Sequence, residues 1–439
     1  MTDNGNYKYL VIIGPIIHSL SFDELEIIEE ATIKVDLCTG RIVKVAHNAI
    51  SELEQDCKVI KLKDGEFLCP GFIDTHHHAP QTANLGLGLD HELLQWLDHY
   101  TFPREKSYTN RSADSIKQEY TEMAQRLLRS GTTSCVYFGS LQVEANKILV
   151  DALFESGQRA FIGKVCMDQN SPEDYVESSA DSIRGTRELI SFIKSKNSTL
   201  INPVVTPRFA PTCSMDLMKE LGSISFEHSC HIQTHVSENL SEVAWVKDLF
   251  PFYKNYSQIY DEAGLLTDKT ILAHAIYLTE EEKYLIKERG SAISHCPNSN
   301  FALSSGCLNL RDLLEKGVKV SLGTDVSGGY STSMLDACRQ AIITSKVIHF
   351  QDRQKYKPLT ATEAFSLATL NGAISLNLQD SLGNFLVGKY FDALIVNVHA
   401  NPQIPMAPQS SLHNLFEKFI FCGDDRCIVN VFVQGRQLK

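Results

Sequence analysis

The feature that most constrains the fold is a series of eight short apolar, β-branched or aromatic runs between residues 67 and 324. Every gap between consecutive runs is long enough for at least one helix. Strands that alternate with helices form parallel sheets, because a crossover helix connects each strand to the next. The runs are FLCPGFIDT (67–75), TTSCVYF (132–138), RAFIGKVCM (159–167), LINPVVT (200–206), CHIQTH (230–235), TILAH (270–274), SAISH (291–295) and VKVSLGT (318–324).

Eight strand-helix repeats over about 250 residues predict an α/β protein built on a closed (β/α)8 TIM-like barrel. An open, Rossmann-like sheet is the alternative, but the chain has no G-x-G-x-x-G fingerprint to favour it. The flanking residues 8–63 and 385–439 contain short alternating strands. We expect them to pair into one small β-sandwich domain (1–66 plus 384–439) beside a barrel domain (67–383). A last barrel-side helix is expected over 361–376, capped by Thr360 with Glu363 three residues later.

Charge and composition narrow the class of partner. The 439 residues include 41 Lys plus Arg against 53 Asp plus Glu, a formal charge of -12. Because nucleic acids and anionic membranes normally require a basic patch, a small, roughly neutral substrate fits better. No apolar stretch approaches the ~20 residues that span a bilayer. The 12 cysteines are scattered without a C-x-x-C pair and are typical of reduced core residues in a cytoplasmic protein.

Polar residues stand where several predicted strands end, which is where barrel enzymes carry their catalytic groups. His76 and His78 follow the first strand and point the same way, whereas His77 points to the opposite side. Three later strands end in residues that would converge on the same axis. Imidazoles and one carboxylate form a set suited to Zn²⁺. The predicted metal ligands are His76, His78, His235, His274 and Asp325.

Glu238 lies three residues beyond His235 and can stand beside the metal without being a ligand. A zinc-bound water has its pKa lowered to ~7 and can attack an electrophilic carbon, and the leaving nitrogen then needs a proton. We expect Asp325 to take the proton from the water and Glu238 to act as the proton shuttle. An ordinary surface carboxylate at a helix start is the alternative interpretation of Glu238.

The fourth strand ends in Arg208 and Phe209, and no lysine that could bridge two metals lies between Leu200 and Thr212. The sequence therefore predicts one zinc per chain. A guanidinium only donates hydrogen bonds and a phenyl ring offers a flat face, so the pair suits a planar heterocycle with a carbonyl oxygen. A salt-bridged arginine beside a core phenylalanine is equally compatible with these two residues.

Two further features are left open by the residues alone. His295 is interpreted as a group that supports the site from behind rather than as a substrate contact. The segment 84–106 is long for a connection after a first barrel strand. It is either a lid, a partner surface or a plain packed helix around LLQWLDHY.

Taken together, several motifs resemble the guanine deaminases of the amidohydrolase superfamily, in order over almost the whole chain. They are PGFIDTHHHAPQ, LLQWLDHYTFPRE, TPRFAPTCS, HIQTHVSEN, LAHAIYL, SHCPNSNFALSSG and GTDVSGGYSTSMLDA. The resemblance implies a zinc-dependent barrel with a small β-domain, a homodimer, and the hydrolysis of guanine to xanthine and ammonia in purine catabolism.

The same resemblance assigns roles to individual residues. The five predicted ligands fall on the family's metal ligands, and Glu238 falls on its proton shuttle. The positions that hold the purine are matched by Gln81, Arg208, Phe209, His235 and Glu238. Departures from the family pattern occur at His77, Pro80 and Ala275. The open alternatives are another amidohydrolase acting on an oxidised purine, a pterin or a triazine, and a non-catalytic scaffold with the same fold.

Overall fold

Two β-sheets organise the chain, which the computed structural model describes over residues 7–48, 56–352, 355–407 and 410–439. The strands that open the chain are β1 (Tyr9–Ser19), β2 (Leu25–Asp36), β3 (Arg41–Ala46), β4 (Cys57–Lys61) and β5 (Glu66–Pro70). The central strands are β6 (Phe72–His78), β7 (Thr132–Phe138), β8 (Arg159–Gly163), β9 (Val165–Cys166), β10 (Ile201–Pro207), β11 (His231–Val236), β12 (Thr270–His274), β13 (Ala292–His295) and β14 (Lys319–Leu322). The last strands are β15 (Ala393–Asn397), β16 (Ile428–Val433) and β17 (Arg436–Gln437).

The central strands form a parallel sheet in the order β6-β7-β8-β10-β11-β12-β13-β14, with β9 beside β10. This confirms the predicted TIM-like barrel, and each of the eight predicted runs contains a barrel strand. Two runs are divided, however. The run 159–167 is split into β8 and β9, and the run 67–75 contains β5 and the start of β6.

The division of the run 67–75 has a simple geometric cause. Strand β5 pairs with β1 and β15 in the terminal sheet, whereas β6 pairs with β7 in the barrel. Gly71 lies between them, and a Cβ on it would stand 2.2 Å from the Thr133 hydroxyl oxygen. A residue without a side chain therefore lets the backbone cross from one sheet to the other beside β7.

The terminal sheet joins strands from both flanks in the order β17-β16-β15-β5-β1-β2-β3, and β4 pairs with the start of β1. The expectation that the two flanking segments form one small β-domain is confirmed. The sheet has its own apolar cluster, in which Leu68 and Ile33 pack with Phe391 and Phe432. The division into 1–66 plus 384–439 and 67–383 remains a proposal, which these strand pairings support.

Helices fill the connections between barrel strands, follow the last barrel strand, and connect β15 to β16 in the terminal sheet. They are α1 (Leu93–Trp96), α2 (Phe102–Lys106), α3 (Ala113–Arg129), α4 (Val143–Ser156), α5 (Ser179–Ser195), α6 (Met215–His228), α7 (Leu240–Leu249), α8 (Tyr256–Glu262), α9 (Glu280–Arg289), α10 (Pro297–Ala302), α11 (Leu310–Glu315), α12 (Met334–Gln351), α13 (Ala361–Ala368), α14 (Leu370–Ser375) and α15 (Leu412–Cys422). The expected capping box is present, since Thr360 Oγ1 accepts from Glu363 N at 3.2 Å and Glu363 Oε2 from Thr360 N at 2.8 Å. The single helix expected over 361–376 is two helices, because Thr369 leaves the helical conformation.

Hydrogen bonds close the barrel between its last and first strands. The Asp74 carboxylate on β6 accepts from Thr324 N at 3.0 Å and from Thr324 Oγ1 at 2.5 Å. Beyond them, Asp325 N donates to His76 O at 2.9 Å, and His78 N donates to Val326 O at 3.0 Å. These bonds bring the residues that follow β14 alongside the end of β6.

From the sequence we expect no membrane-spanning segment and reduced cysteines in the core, and the described part of the chain can be compared with both expectations. There, no helix combines the length and apolarity needed to cross a bilayer. All 12 cysteines are free, and eight of them are buried (Cys69, Cys135, Cys166, Cys213, Cys230, Cys296, Cys338 and Cys427). They behave as the core residues that the sequence predicts.

The barrel and the terminal sheet are joined by a buried ion pair. Arg159 at the start of β8 donates from Nε to Asp392 Oδ2 at 3.0 Å and from Nη2 to Asp392 Oδ1 at 3.3 Å. The exposed fractions of the two side chains are 3% and 6%. Because both groups are desolvated, removing one leaves an unpaired buried charge.

We therefore expect Arg159→Ala to lower the free energy of unfolding by about 3–5 kcal/mol, the range for breaking a buried pair. Lys117→Ala is the control, since the exposed Lys117–Glu155 pair (47% and 57%) should contribute no more than ~1 kcal/mol. Chemical denaturation of the three proteins measures the difference. Equal losses in the two variants would contradict a joining role for the Arg159–Asp392 pair.

Candidate active site

The side chains at the ends of β6, β11, β12 and β14 converge on one point. One ligand atom from each of His76, His78, His235 and Asp325 lies within 4.8 Å of the others, and all four side chains are buried. His274 joins the group, with its Nε2 atom 3.6 Å from Asp325 Oδ2. The structure thus brings together all five residues that the sequence marks as metal-ligating.

The spacing of these atoms fits a metal ion. Asp325 Oδ1 lies 3.2 Å from His76 Nε2 and 3.3 Å from His78 Nε2. His78 Nε2 is 3.3 Å from His76 Nε2 and 3.2 Å from His235 Nε2. Ligands placed tetrahedrally at the usual Zn–N and Zn–O distances are separated by about 3.3 Å. These contacts therefore match the separation that a shared zinc ion requires.

Hydrogen bonds behind two of the rings fix which nitrogen faces the site. His235 Nδ1 lies 2.6 Å from the carbonyl oxygen of Arg208, and His274 Nδ1 lies 2.9 Å from Asn300 Oδ1. Each Nδ1 must carry the proton to donate to these oxygens, so each Nε2 presents a lone pair to the site. This is the tautomer that a metal-binding imidazole needs.

The backbone turns sharply at the ends of β12 and β14. His274 (φ 70°), Ala275 (φ 56°) and Asp325 (φ 46°) all adopt the left-handed conformation. For a residue with a Cβ this costs roughly 1–2 kcal/mol, and such residues cluster at functional sites. Ala275, one of the departures from the family pattern, thus has a backbone conformation that glycine adopts most easily.

Glu238 and Asp325 are both buried but differ in charge state. Burial, together with the negative charges of Asp325 and Glu242, raises the pKa of Glu238 well above its usual range. Burial opposes the charge of Asp325 as well, but His76 and His78 hold the pKa of that carboxyl well below its usual range. Of the two carboxyl groups, Glu238 is therefore the one that holds a proton more readily, and Asp325 is the one that ionises more readily.

Local contacts hold Glu238 at the site. Its Oε2 atom lies 3.3 Å from His274 Nε2, and its Oε1 atom accepts from Ser305 Oγ at 3.4 Å. Its backbone N–H donates at 2.7 Å to Oε2 of Glu242, the residue that also forms the capping box of α7 with Asn239. The exposed fraction of Glu238 is 3%, so the surface-carboxylate interpretation is wrong.

A pocket opens beside this cluster. Its walls include all five predicted substrate contacts, Gln81, Arg208, Phe209, His235 and Glu238. The residues that complete the lining are Leu93, Trp96, Leu97 and Leu303, in addition to His78, His274 and Asp325. The pocket therefore combines the polar cluster with a group of apolar side chains.

Sequence reasoning missed the apolar part of this lining. Leu93, Trp96 and Leu97 belong to α1 and the π-helical turn Leu97–Thr101, inside the segment 84–106. Their i, i+3, i+4 spacing, which places side chains on one helical face, is visible in the sequence. What the sequence lacks is the direction of that face, which the structure turns toward the pocket.

A buried carboxylate, Glu105, was also missed. It accepts from Arg208 Nη1 at 2.6 Å and from Arg208 Nη2 at 3.2 Å. Arg208 is therefore ion-paired and also part of the pocket wall, and its role as a substrate contact remains a prediction. Glu105 lies on α2 rather than at a strand end, and this position gave no signal of a role at the site.

The remaining histidines of the sequence analysis lie outside the pocket lining. His77 turns away from the cluster, as the strand alternation predicts, and its Nδ1 atom contacts Thr324 Oγ1 at 3.2 Å. His295 is buried behind the site, and burial lowers its pKa to about 3. Its supporting role remains a prediction.

Known proteins resemble this chain over nearly its full length. The model of the Amidohydrolase family matches residues 67–438. The curated guanine deaminase of Dictyostelium discoideum is 42% identical, with 97% of each chain covered, and that of Homo sapiens is 41% identical over 97% of this chain and 95% of its own.

A solved structure extends the similarity to the fold. The guanine deaminase from C. acetobutylicum, determined with guanine bound in its active site, superposes with a TM-score of 0.91. It is 35% identical and the alignment covers 98% of this chain and 99% of that one. The chain therefore belongs to the amidohydrolase family, where its sequence groups with the guanine deaminases.

Proposed function

We propose that this chain hydrolyses guanine to xanthine and ammonia, using one zinc ion. The observation that carries the proposal is the convergence of His76, His78, His235 and Asp325 beside a pocket whose wall contains Arg208. The bound guanine of the solved relative supports the choice of purine. In the reaction a C–O bond to the ring carbon forms, the C–N bond to the amino group breaks, and water supplies the oxygen.

The metal would be held by His76, His78, His235, His274 and Asp325, whose spacing and tautomers fit Zn²⁺. When bound, zinc acts as a Lewis acid and makes water a nucleophile near neutral pH. The remaining work falls to the protein. Asp325, whose pKa is lowered by His76 and His78, would accept a proton on its carboxylate, and Glu238, whose pKa is raised by burial, would donate one to the leaving amino nitrogen.

Three residues would hold the purine. The guanidinium of Arg208 donates to the ring carbonyl, and Phe209 presents a ring that is itself supported edge-on by Trp245, with 6.1 Å between ring centroids. Gln81 Oε1 accepts from Ser327 N at 3.2 Å and from Ser327 Oγ at 3.4 Å, and Gln81 Nε2 donates to Glu105, so the amide group has one N–H left to offer the substrate. His235 and Glu238 complete the substrate contacts on the metal side.

The wider setting of the enzyme is proposed on the same basis. We infer a cytoplasmic homodimer that acts in purine catabolism on a small-molecule base, with neither nucleic acid nor membrane as a partner. The formal charge of -12 supports this choice of partners. Ammonia release from purines, pterins and triazines distinguishes guanine from the alternative substrates, and no release from any of them would indicate a scaffold.

We expect one zinc per purified chain, because a single cluster of ligands faces the pocket. His235→Ala should lose the metal, since it removes a nitrogen donor from the centre of the cluster. His231→Ala, at the other end of β11, is the control, and its zinc content should match the parent. Metal analysis measures all three proteins. Two tightly bound equivalents in the parent would contradict a mononuclear site.

We expect Glu238→Gln to keep its zinc and to lose activity by about 10²-fold or more, since the amide cannot donate the proton that a carboxylic acid does. Steady-state kinetics with guanine as substrate measures the loss of activity, and metal analysis measures the retained zinc. Glu282→Gln removes a buried capping carboxylate of α9 and should leave kcat unchanged. A metal-free or fully active Glu238→Gln would remove the shuttle role.

We expect efficient deamination of guanine and negligible deamination of adenine, because adenine carries an amino group where guanine has the carbonyl that faces Arg208. An unpaired buried donor typically costs ~1–3 kcal/mol, and sites built on such bonds discriminate by up to ~10⁴. Arg208→Ala should lose guanine activity and retain zinc. Arg159→Ala, which also removes a buried ion-paired arginine, should keep the selectivity. Comparable kcat/KM for both purines would falsify this account.

A further inference from the structure

We propose that Glu105 is a positioning residue that fixes both Arg208 and Gln81, and that it thereby determines the preference for a purine with a ring carbonyl. The inference rests on the proposed function. Glu105 itself is absent from the pocket lining, so it acts through the two side chains that it holds.

The Glu105 carboxylate is fully used by neighbouring donors. Besides its two bonds to Arg208, its Oε1 atom accepts from Gln81 Nε2 at 2.7 Å and its Oε2 atom accepts from Tyr175 OH at 2.8 Å. The exposed fraction of Glu105 is 1%. Charge-assisted bonds of this kind, made two at a time by a planar guanidinium, fix orientation as well as contributing free energy.

The charge of Glu105 is maintained by the same contacts. Burial alone would raise the pKa of its carboxyl group, but the positive charge of Arg208 and the bonds from Arg208 and Gln81 lower it below the ordinary value. An ionised carboxylate only accepts hydrogen bonds. Every group that faces Glu105 must therefore present a donor to it.

This requirement fixes the Gln81 amide. Its nitrogen faces Glu105, and its oxygen accepts from Ser327 N at 3.2 Å and lies 3.4 Å from Ser327 Oγ. A flipped amide would place its oxygen against the Glu105 carboxylate. Gln81 thus keeps one N–H free for the pocket and no free acceptor.

Arg208 is held in a comparable way. Two of its five N–H groups bond to Glu105, and its guanidinium carbon lies 5.0 Å from the centre of the Phe102 ring. Phe102 and Glu105 both belong to α2. This helix therefore supports the guanidinium through a ring and a carboxylate, while its remaining N–H groups stay available to the pocket.

The result is a wall that offers donors only. Guanine has two adjacent acceptors on one edge, O6 and N7, whereas adenine has a donor beside its N7 acceptor. Two donors held side by side complement the guanine edge. Without Glu105, Gln81 could present its carbonyl oxygen and Arg208 could rotate, so the wall would lose its selectivity for a carbonyl.

The test compares guanine with 6-thioguanine, which keeps the 2-amino group and the N1–H but replaces the carbonyl oxygen by sulfur, a weaker acceptor. We expect the zinc-loaded parent to prefer guanine. In Glu105→Gln, kcat/KM for guanine should fall by roughly 10²-fold, and that for 6-thioguanine by less than about tenfold. The ratio of the two constants should therefore fall at least tenfold, with zinc content unchanged.

Two further variants keep the test decisive. Tyr175→Phe removes one donor from Glu105 and should lower the ratio in the same direction by about fivefold, so it decides the matter if Glu105→Gln fails to fold. Glu119→Gln is the matched control, because Glu119 accepts from Tyr108 and Arg104, the residue before Glu105, without contacting Arg208. Its ratio should equal that of the parent.

The outcomes separate this inference from the proposed function. A parent that releases no ammonia from guanine overturns the function and this inference with it. An active parent whose Glu105→Gln variant loses both substrates equally overturns only the inference, since a purely structural role would do that. An unchanged ratio in Tyr175→Phe, when Glu105→Gln cannot be obtained, overturns it as well.

Discussion

The hydrogen bonds between Asp74 and Thr324 are the interaction on which the site depends. They close the barrel between β6 and β14, and the backbone bonds beyond them place Asp325 beside His76 and His78. Without closure, the carboxylate and the two imidazoles would lie at opposite edges of an open sheet. Ring closure thus completes the metal-binding geometry, to which the alternation along β6 contributes His76 and His78.

Burial then gives the site its two different carboxyl groups. Burial opposes the charge of both Glu238 and Asp325, but the charges of Asp325 and Glu242 raise the pKa of Glu238 further, whereas His76 and His78 lower the pKa of Asp325. The wall opposite is organised by a third buried carboxylate, Glu105, which is stabilised by Arg208. Three acidic groups in one small volume therefore serve distinct purposes, because each has different neighbours.

Much of this arrangement can be predicted from the sequence. Strand β7 has the same bounds as its apolar run in the sequence. His76, His235 and Asp325 can be recognised in the sequence as polar residues at the ends of predicted strands. Two kinds of feature could not be predicted. The division between β5 and β6 depends on Thr133, which is distant in sequence, and the contact of Glu105 with Arg208 spans 103 positions. Neither relation leaves a periodic pattern, because only the tertiary structure brings these residues together.

The terminal sheet contains strands from both ends of the chain, so it cannot be completed until synthesis is nearly finished. Strand β5 pairs with β15, so that Leu68 lies opposite Ile395. After β1 to β5 have been synthesised, the whole barrel must still be translated before β15, the partner of β5, is available. Contacts so distant in sequence form slowly, and until then an unpaired strand edge stays exposed to other chains. The strands that are synthesised first, β1 to β5, are therefore the part of the nascent protein that is most prone to aggregation.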